Sequence, residues 1–271
     1  MPNRVRLLCC PDCRLAWWRW PPFDPAALYD RAYFQSTDVG HGYDDYATLE
    51  AGLRRTARAR LRRLVRLTSP GSSRRLLDIG CGTGVFLDEA RGCGWRVRGI
   101  EVSEYAAAQA SRQGIPVFCA RVDTVPLASA SFDCVTLWDV IEHMSDPLDV
   151  LRRAARALRP GGILALSTGD FTSLCARLSG PYWHLFSLPE HLFFFSLTSL
   201  RIMLRQCGFQ TRYLAYEINW VPINYIMERL FKLVGQSARV GRPGIGRLVV
   251  PATLFDVLGI YAIRCPARGS E

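Results

Sequence analysis

Between residues 45 and 67, Leu49, Leu53, Ala57, Leu61 and Leu64 recur at three- and four-residue spacing, which predicts an amphipathic helix. From Arg75 onward the pattern changes. Short apolar runs at 76–79, 97–101, 132–138 and 162–167 predict strands. Helical periodicity follows the first three, at 85–91, 104–113 and 147–158. Such alternation predicts a mostly parallel sheet with helices on both faces. Residues 198–207 predict another helix, stopped by Gly208, and 209–217 and 256–264 predict two late strands. Residues 1–44 read as irregular, 171–197 as a long aromatic segment, and 218–255 as an insertion. The insertion has a helical stretch at 223–234 and a Gly241-Arg242-Pro243-Gly244 loop. The expected division is a leader with its helix at 1–69 and an α/β domain at 70–271.

Composition narrows this only slightly. The chain has 271 residues, 49% of them hydrophobic, enough for a sizeable core. The formal charge is +10, but Lys232 is the only lysine. An arginine bias of that kind often reflects base composition of the genome, so it is weak evidence for a nucleic-acid partner. It permits contact with anionic substrates or a membrane surface. Seven arginines (54, 55, 58, 60, 62, 63 and 66) lie on the first helix, and a solvated face is the expected role. Cys119, Cys134 and Cys265 sit in segments that read as buried strands, where free cysteine acts as a small hydrophobe. No disulfide framework is expected. The beginning of the chain shows no apolar signal region. The longest apolar stretch, 248–263, is interrupted by Pro251 and Asp256 and is too short to span a bilayer. A reducing cytoplasm is the expected setting.

The strongest chemical signal is Leu76-Leu77-Asp78-Ile79-Gly80-Cys81-Gly82-Thr83-Gly84-Val85-Phe86-Leu87. An apolar strand runs into three glycines at alternate positions and then into an apolar helix. Such glycines allow a tight turn and close approach of a ligand, and the helix start offers unpaired N–H groups. Asp78, at the strand end, can orient the loop or reach a ligand amino group through water. A dinucleotide fingerprint would require a small residue where Val85 stands. The spacing is instead Gly-x-Gly-x-Gly. The next strand ends in Gly99-Ile100-Glu101-Val102-Ser103, placing a carboxylate where it can accept from ribose hydroxyls.

With this loop the chain resembles class I S-adenosylmethionine-dependent methyltransferases, specifically a bacterial small-molecule subgroup. Arg159-Pro160-Gly161-Gly162 and Ser131-Phe132-Asp133-Cys134-Val135 follow in the same order. The resemblance implies a Rossmann-like α/β fold with a seven-stranded sheet, mostly parallel with an antiparallel last strand, plus the leader and the insertion. It implies S-adenosylmethionine as cofactor and S-adenosylhomocysteine as product. The implied cofactor-binding residues are Asp78, Gly80, Cys81, Gly82, Gly84, Glu101, Val102, Val122 and Trp138. An acidic residue common in the family near the adenine falls at Arg121, a departure for which Asp123 or the Val122 backbone can substitute.

Trp138-Asp139-Val140-Ile141-Glu142-His143 follows the fourth strand and faces the crevice outside the strand ends. His143 is therefore a candidate base, with a structural histidine as the alternative. The segment 171–197 contains Trp183, Pro189-Glu190-His191-Leu192 and three phenylalanines at 193–195. It reads as a substrate lid with His191 as second candidate base, or as a packed aromatic cover. Cys10-Pro11-Asp12-Cys13 resembles half a zinc ribbon, but only Cys9 adds a nearby thiol, so no metal is expected. The expected activity is methylation of a small acceptor, an oxygen of a natural product, sugar or lipid-like compound. RNA or tRNA is the alternative acceptor. It is favoured by the charge and disfavoured by the lack of a recognisable RNA-binding module.

Overall fold

The computed structural model describes residues 6–19, 28–29, 46–69, 71–223, 226–227 and 248–266. Two short strands, β1 (Leu7–Cys9) and β2 (Ala16–Trp18), precede the long helix α1 (Tyr46–Leu67). The central domain then runs β3 (Arg75–Ile79), α2 (Val85–Gly92), β4 (Arg96–Glu101), α3 (Glu104–Arg112), β5 (Val117–Cys119), β6 (Phe132–Trp138), α4 (Pro147–Ala157) and β7 (Leu158–Gly169). It continues through α5 (Leu174–Ser179), β8 (Phe193–Phe194), α6 (Leu197–Gln206), β9 (Phe209–Tyr216), β10 (Asn219–Pro222), β11 (Val249–Ala252) and β12 (Val257–Arg264).

Seven strands form one sheet in the order β5-β4-β3-β6-β7-β12-β9. The pairs among β3 to β7 are parallel, and β12 runs antiparallel between β7 and β9. The last strand is thus antiparallel, as expected. Alternation along each strand creates two cores. Leu77, Val135 and Leu164 face α4 and α6, whose Leu151, Ala154, Leu200 and Leu204 are buried with them. Their neighbours Leu76, Cys134 and Ile163 face α1, α2 and α3 through Leu61, Leu64, Leu87 and Ala110. A sheet covered on both faces explains why its strands read as continuous apolar runs.

Several expectations change. The leader is not wholly irregular: β1 and β2 pair, and β2 pairs in turn with β8 of the aromatic segment. Strands of two or three residues carry too little pattern to predict. The edge strand β5, also three residues long, was read only as a buried segment around Cys119. Cys119, at its end, is exposed, as is Cys265 beyond β12; only Cys134 is buried as expected. In the insertion, β10 pairs with β11 and rests on α1, with Trp220 N–H donating to Thr56 Oγ1 at 2.9 Å. The 241–244 loop and most of the 223–234 stretch lie outside the described residues.

The arginine helix departs most from expectation. Arg54 and Arg58 pair with Asp88 and Glu89 of α2, and Arg60 and Arg63 converge on Glu217. The first set is partly exposed, and such pairs contribute about 0–1 kcal/mol each. The second is different, because Arg60 is 8% and Glu217 2% exposed. Arg60 Nε lies 3.3 Å and Arg63 Nη1 2.8 Å from the Glu217 carboxylate. That carboxylate lies across Gly259, where a Cβ would collide with it. Removing one member of a buried pair leaves a charge unpaired, costing about 3–5 kcal/mol. Glu217→Ala should lower the unfolding free energy by about that amount in equilibrium urea denaturation. A loss below about 1 kcal/mol would show that the cluster does not hold α1 to the sheet.

Candidate active site

At the end of β3 the chain turns through Gly80, Gly82 and Gly84, with φ of +70°, +54° and +86°. Left-handed backbone of this kind favours glycine. Gly80 N–H donates to Ile100 C=O at 2.8 Å, and Cys81 N–H to the same oxygen at 3.1 Å. A Cβ on Gly80 would lie 2.5 Å from Val140 Cγ2, so the loop is packed against the chain leaving β6. Gly84 opens α2 and would strike Ile115 and Ala110 of the neighbouring layer if it carried a Cβ.

The adjacent strand delivers Glu101. Its Oε2 accepts from Gly82 N–H at 2.8 Å and its Oε1 from Ser103 N–H at 2.9 Å. Ser103 in turn caps α3 by accepting from Ala106 N–H. Burial raises the Glu101 pKa, opposed by the N–H groups of Ser103, Gly82 and Val102. Asp78 is 2% exposed and accepts from Thr136 Oγ1 at 2.6 Å. Burial pushes its pKa up to about 7, against the Thr136 hydrogen bond and the Arg60 charge and helped by the Glu101 charge.

These groups line a cavity of about 690 Å³. Asp78, Gly80, Cys81, Gly82, Glu101, Val102, Val122, Trp138 and His143 all border it. Gly84 and His191 do not, so Gly84 acts through the turn it allows. Arg121 and Asp123 border it as well, bridged to each other at 2.8 Å. Helix α1 contributes Leu53, Thr56, Ala57 and Arg60, and the leader contributes Tyr29. Arg60 lies 4.3 Å above the Trp138 ring. Of the segment 171–197, Leu192 is the described residue that reaches the cavity. Its rings instead pack together: Trp183 and Phe194 are buried with Ala16 of β2, and Phe171 and Phe186 close around them. Trp183 Nε1 donates to Asp256 at 2.8 Å, and His184 Nε2 lies 2.7 Å from the same carboxylate oxygen. The segment is a packed aromatic cover rather than a ring-lined substrate lid.

At the far end of the cavity, Glu142 and His143 form a 3-10 turn after β6. His143 Nδ1 lies 2.9 Å from Glu190 C=O and 2.8 Å from Tyr29 Oη. A carbonyl oxygen only accepts, so Nδ1 carries the proton and Nε2 keeps its lone pair. Burial lowers the His143 pKa, against the Glu190 carbonyl and the Asp139 charge. Although His191 does not border the cavity, its ring centroid lies 4.6 Å from that of His143, edge to face. Glu142, His143 and His191 bring ligand atoms within 4.8 Å of one another, a set able to hold a metal ion.

Residues 53–214 match the family model described as a methyltransferase domain. The chain belongs to that methyltransferase family. It is 35% identical over 163 residues to a ubiquinone biosynthesis O-methyltransferase of Caulobacter vibrioides, covering 52% of this chain and 65% of that one. It is 36% identical over 158 residues to the 27-O-demethylrifamycin SV methyltransferase of Amycolatopsis mediterranei, covering 54% of this chain and 55% of that one. The matched stretch thus spans under two thirds of these curated relatives' length. A solved S-adenosylmethionine-dependent methyltransferase of Thermotoga maritima, described as a possible histamine N-methyltransferase, shares the fold. Its TM-score is 0.52 at 23% identity, covering 81% of this chain and 94% of that one.

In this methyltransferase domain, sequence reading missed Tyr29, Arg60 and Asp139. Asp139 follows Trp138 at the tip of β6 with φ of +56° and borders the cavity. Ser167 Oγ donates to one of its carboxylate oxygens at 2.9 Å, and Arg60 Nη2 lies 3.4 Å from the other. Asp tolerates left-handed backbone better than most residues, but nothing in the sequence marks that conformation.

Asp78 yields a pH prediction. The charged or titratable groups around it are Arg60, Glu101 and the thiols of Cys81 and Cys134. Its folded pKa is raised, so its stabilising contribution is full below about pH 4 and is lost as pH rises through about 7. The ligand-free domain should lose on the order of 2–4 kcal/mol over that window. Asp78→Asn should flatten the profile in denaturation measured from pH 4 to 8; an unchanged slope would remove Asp78 as the cause.

Proposed function

We propose that this chain transfers a methyl group from S-adenosylmethionine to an oxygen of a small-molecule acceptor. The observation that carries this is Glu101, buried at the strand end, fixed by Gly82 and Ser103, and opening onto the same cavity as His143. The residues present fit the cofactor. Gly80 and Gly82 leave no side chain against the cavity wall, and Asp78 and Glu101 present carboxyl groups to the ligand. When bound, S-adenosylmethionine supplies an electrophilic methyl and leaves as S-adenosylhomocysteine.

Glu101 accepts from the ribose hydroxyls. Val102 and Val122 provide apolar surface for the adenine, and the Gly80 to Gly82 backbone accommodates the amino-acid portion. Trp138, held beneath Arg60, walls the crevice and helps exclude water. His143 sits beyond these groups. Its Nδ1–H is pinned by Glu190, and burial keeps the ring neutral near pH 7, so Nε2 can take the acceptor's hydroxyl proton. His191 flanks it. The names of the two relatives above, both O-methyltransferases by description, support oxygen as the acceptor atom. The carboxylates that occupy Arg54, Arg58, Arg60 and Arg63 favour a small molecule over nucleic acid.

Calorimetry with S-adenosylhomocysteine tests the cofactor half. The wild type should bind one equivalent, and Glu101→Ala should bind roughly 10–100-fold more weakly, the scale of lost hydrogen bonds to a charged group. Absence of wild-type binding would end the proposal. The second half is tested with a panel of hydroxylated aromatic and polyketide acceptors. There His143→Ala should slow transfer about 100-fold or more while leaving S-adenosylhomocysteine affinity within about twofold. Radiolabel passing to bulk tRNA and to none of the panel would replace the small-molecule acceptor with RNA.

A further inference from the structure

We propose that Glu142, His143 and His191 bind one first-row transition dication, of the zinc, cobalt or manganese kind. Sequence reading expected no metal because Cys9, Cys10 and Cys13 fall short of a zinc set, and His191 lies far along the chain from the Glu142-His143 pair. The fold closes that distance. Leu192 N–H donates to Glu142 C=O at 2.9 Å, stitching the segment carrying His191 to the turn carrying the other two. The backbone of His191 is fixed on both sides: its N–H donates to Ser187 C=O at 2.7 Å, and its C=O accepts from Trp18 Nε1 at 2.9 Å.

Two further observations point to a cation. Glu142 is 5% exposed, and among the described residues no arginine or lysine pairs with it. A buried carboxylate without a cationic partner is held either as the neutral acid or on a metal ion. The outer contacts are also those of a ligand set. His143 gives its Nδ1–H to a backbone carbonyl, and Thr168 Oγ1 holds Glu142 Oε2 at 2.9 Å. Metal-bound imidazoles and carboxylates are oriented in this way. The ligand atoms lie within 4.8 Å of one another, and a tetrahedral ion with bonds near 2.1 Å needs separations of about 3.4 Å. Loading the ion would therefore require the three side chains to rotate toward one another.

Two imidazoles and one carboxylate select a borderline transition ion over magnesium or calcium, which prefer oxygen-only sets. His143 borders the cavity, so positions left free on the cation are reachable from it. The role of the ion rests on the methyl-transfer reading. At the acceptor end it would lower the pKa of an acceptor hydroxyl so that its proton passes to solvent water, and His143 would serve as ligand in place of its role as base in the metal-free enzyme. Binding of the ion does not depend on that reading.

The test uses chelator-stripped full-length protein carrying Cys10→Ser and Cys13→Ser, which removes the thiol pair as a competing site. Zn²⁺ is titrated against a chromophoric chelator, and Co²⁺ binding is followed by its visible absorption. One equivalent of each should bind, the Co²⁺ bands reporting nitrogen ligation. His191→Ala and Glu142→Gln should each weaken Zn²⁺ binding at least about tenfold. S-adenosylhomocysteine calorimetry on the same samples checks folding and reads the cofactor proposal separately. Failure of the parent protein to bind Zn²⁺ or Co²⁺ stoichiometrically would overturn the inference. So would unchanged affinity in a folded His191→Ala, or binding of Mg²⁺ alone. If the variants do not fold, the Co²⁺ spectrum of the parent decides: bands without nitrogen character overturn the site.

Discussion

Glu101 is a carboxylate with almost no access to water, and backbone N–H groups from two separate loops hold it in place. One is Gly82, in the turn after β3; the other is Ser103, at the start of α3. Much of the site follows from this constraint. The glycine turn must bring Gly82 toward β4, which requires left-handed backbone at Gly80 and Gly82. Parallel pairing of β3 and β4 then fixes where the two strands end, with Ile79 beside Ile100 and Glu101 one residue beyond. A charge this buried is tolerable because its partners are N–H groups already aligned by the fold, and part of its capacity remains for a ligand.

A second buried charge cluster decides how the cavity is closed. Arg60 and Arg63 meet Glu217 beneath α1, so the helix lies over the strand ends instead of projecting into solvent. That places Leu53, Thr56 and Ala57 on the cavity wall and stacks Arg60 over Trp138. The leader and the aromatic segment reinforce this arrangement through the β1-β2-β8 sheet and the contact of Tyr29 with His143. Tyr29 and helix α1 therefore contribute directly to the cavity.

Local chemistry was legible in the sequence, and long-range chemistry was not. The glycine spacing, Asp78 and Glu101 belong to two consecutive strand–loop–helix units, where a few residues determine both conformation and position. The late strands were also readable, because apolar runs of that length carry a clear period, whereas the antiparallel direction of β12 was implied only by the family resemblance. The pairing of Arg60 with Glu217 joins residues from opposite ends of the domain, and no spacing rule predicts it. The meeting of His191 with Glu142 is of the same kind. Tyr29 comes from a leader with no periodicity. The aromatic segment was legible as aromatic, but its neighbours were left open between a cavity and the rings themselves, since composition does not distinguish the two.

Hydrogen exchange with and without saturating S-adenosylhomocysteine tests the central claim most directly, because it reads the loop itself. The predicted result is slowed exchange at the N–H groups of residues 80–84 and 101–103, with the hairpin of residues 6–19 unchanged. Ligand binding without protection of those two loops, or with protection confined to other segments, would contradict the assignment of the Glu101 crevice as the cofactor site.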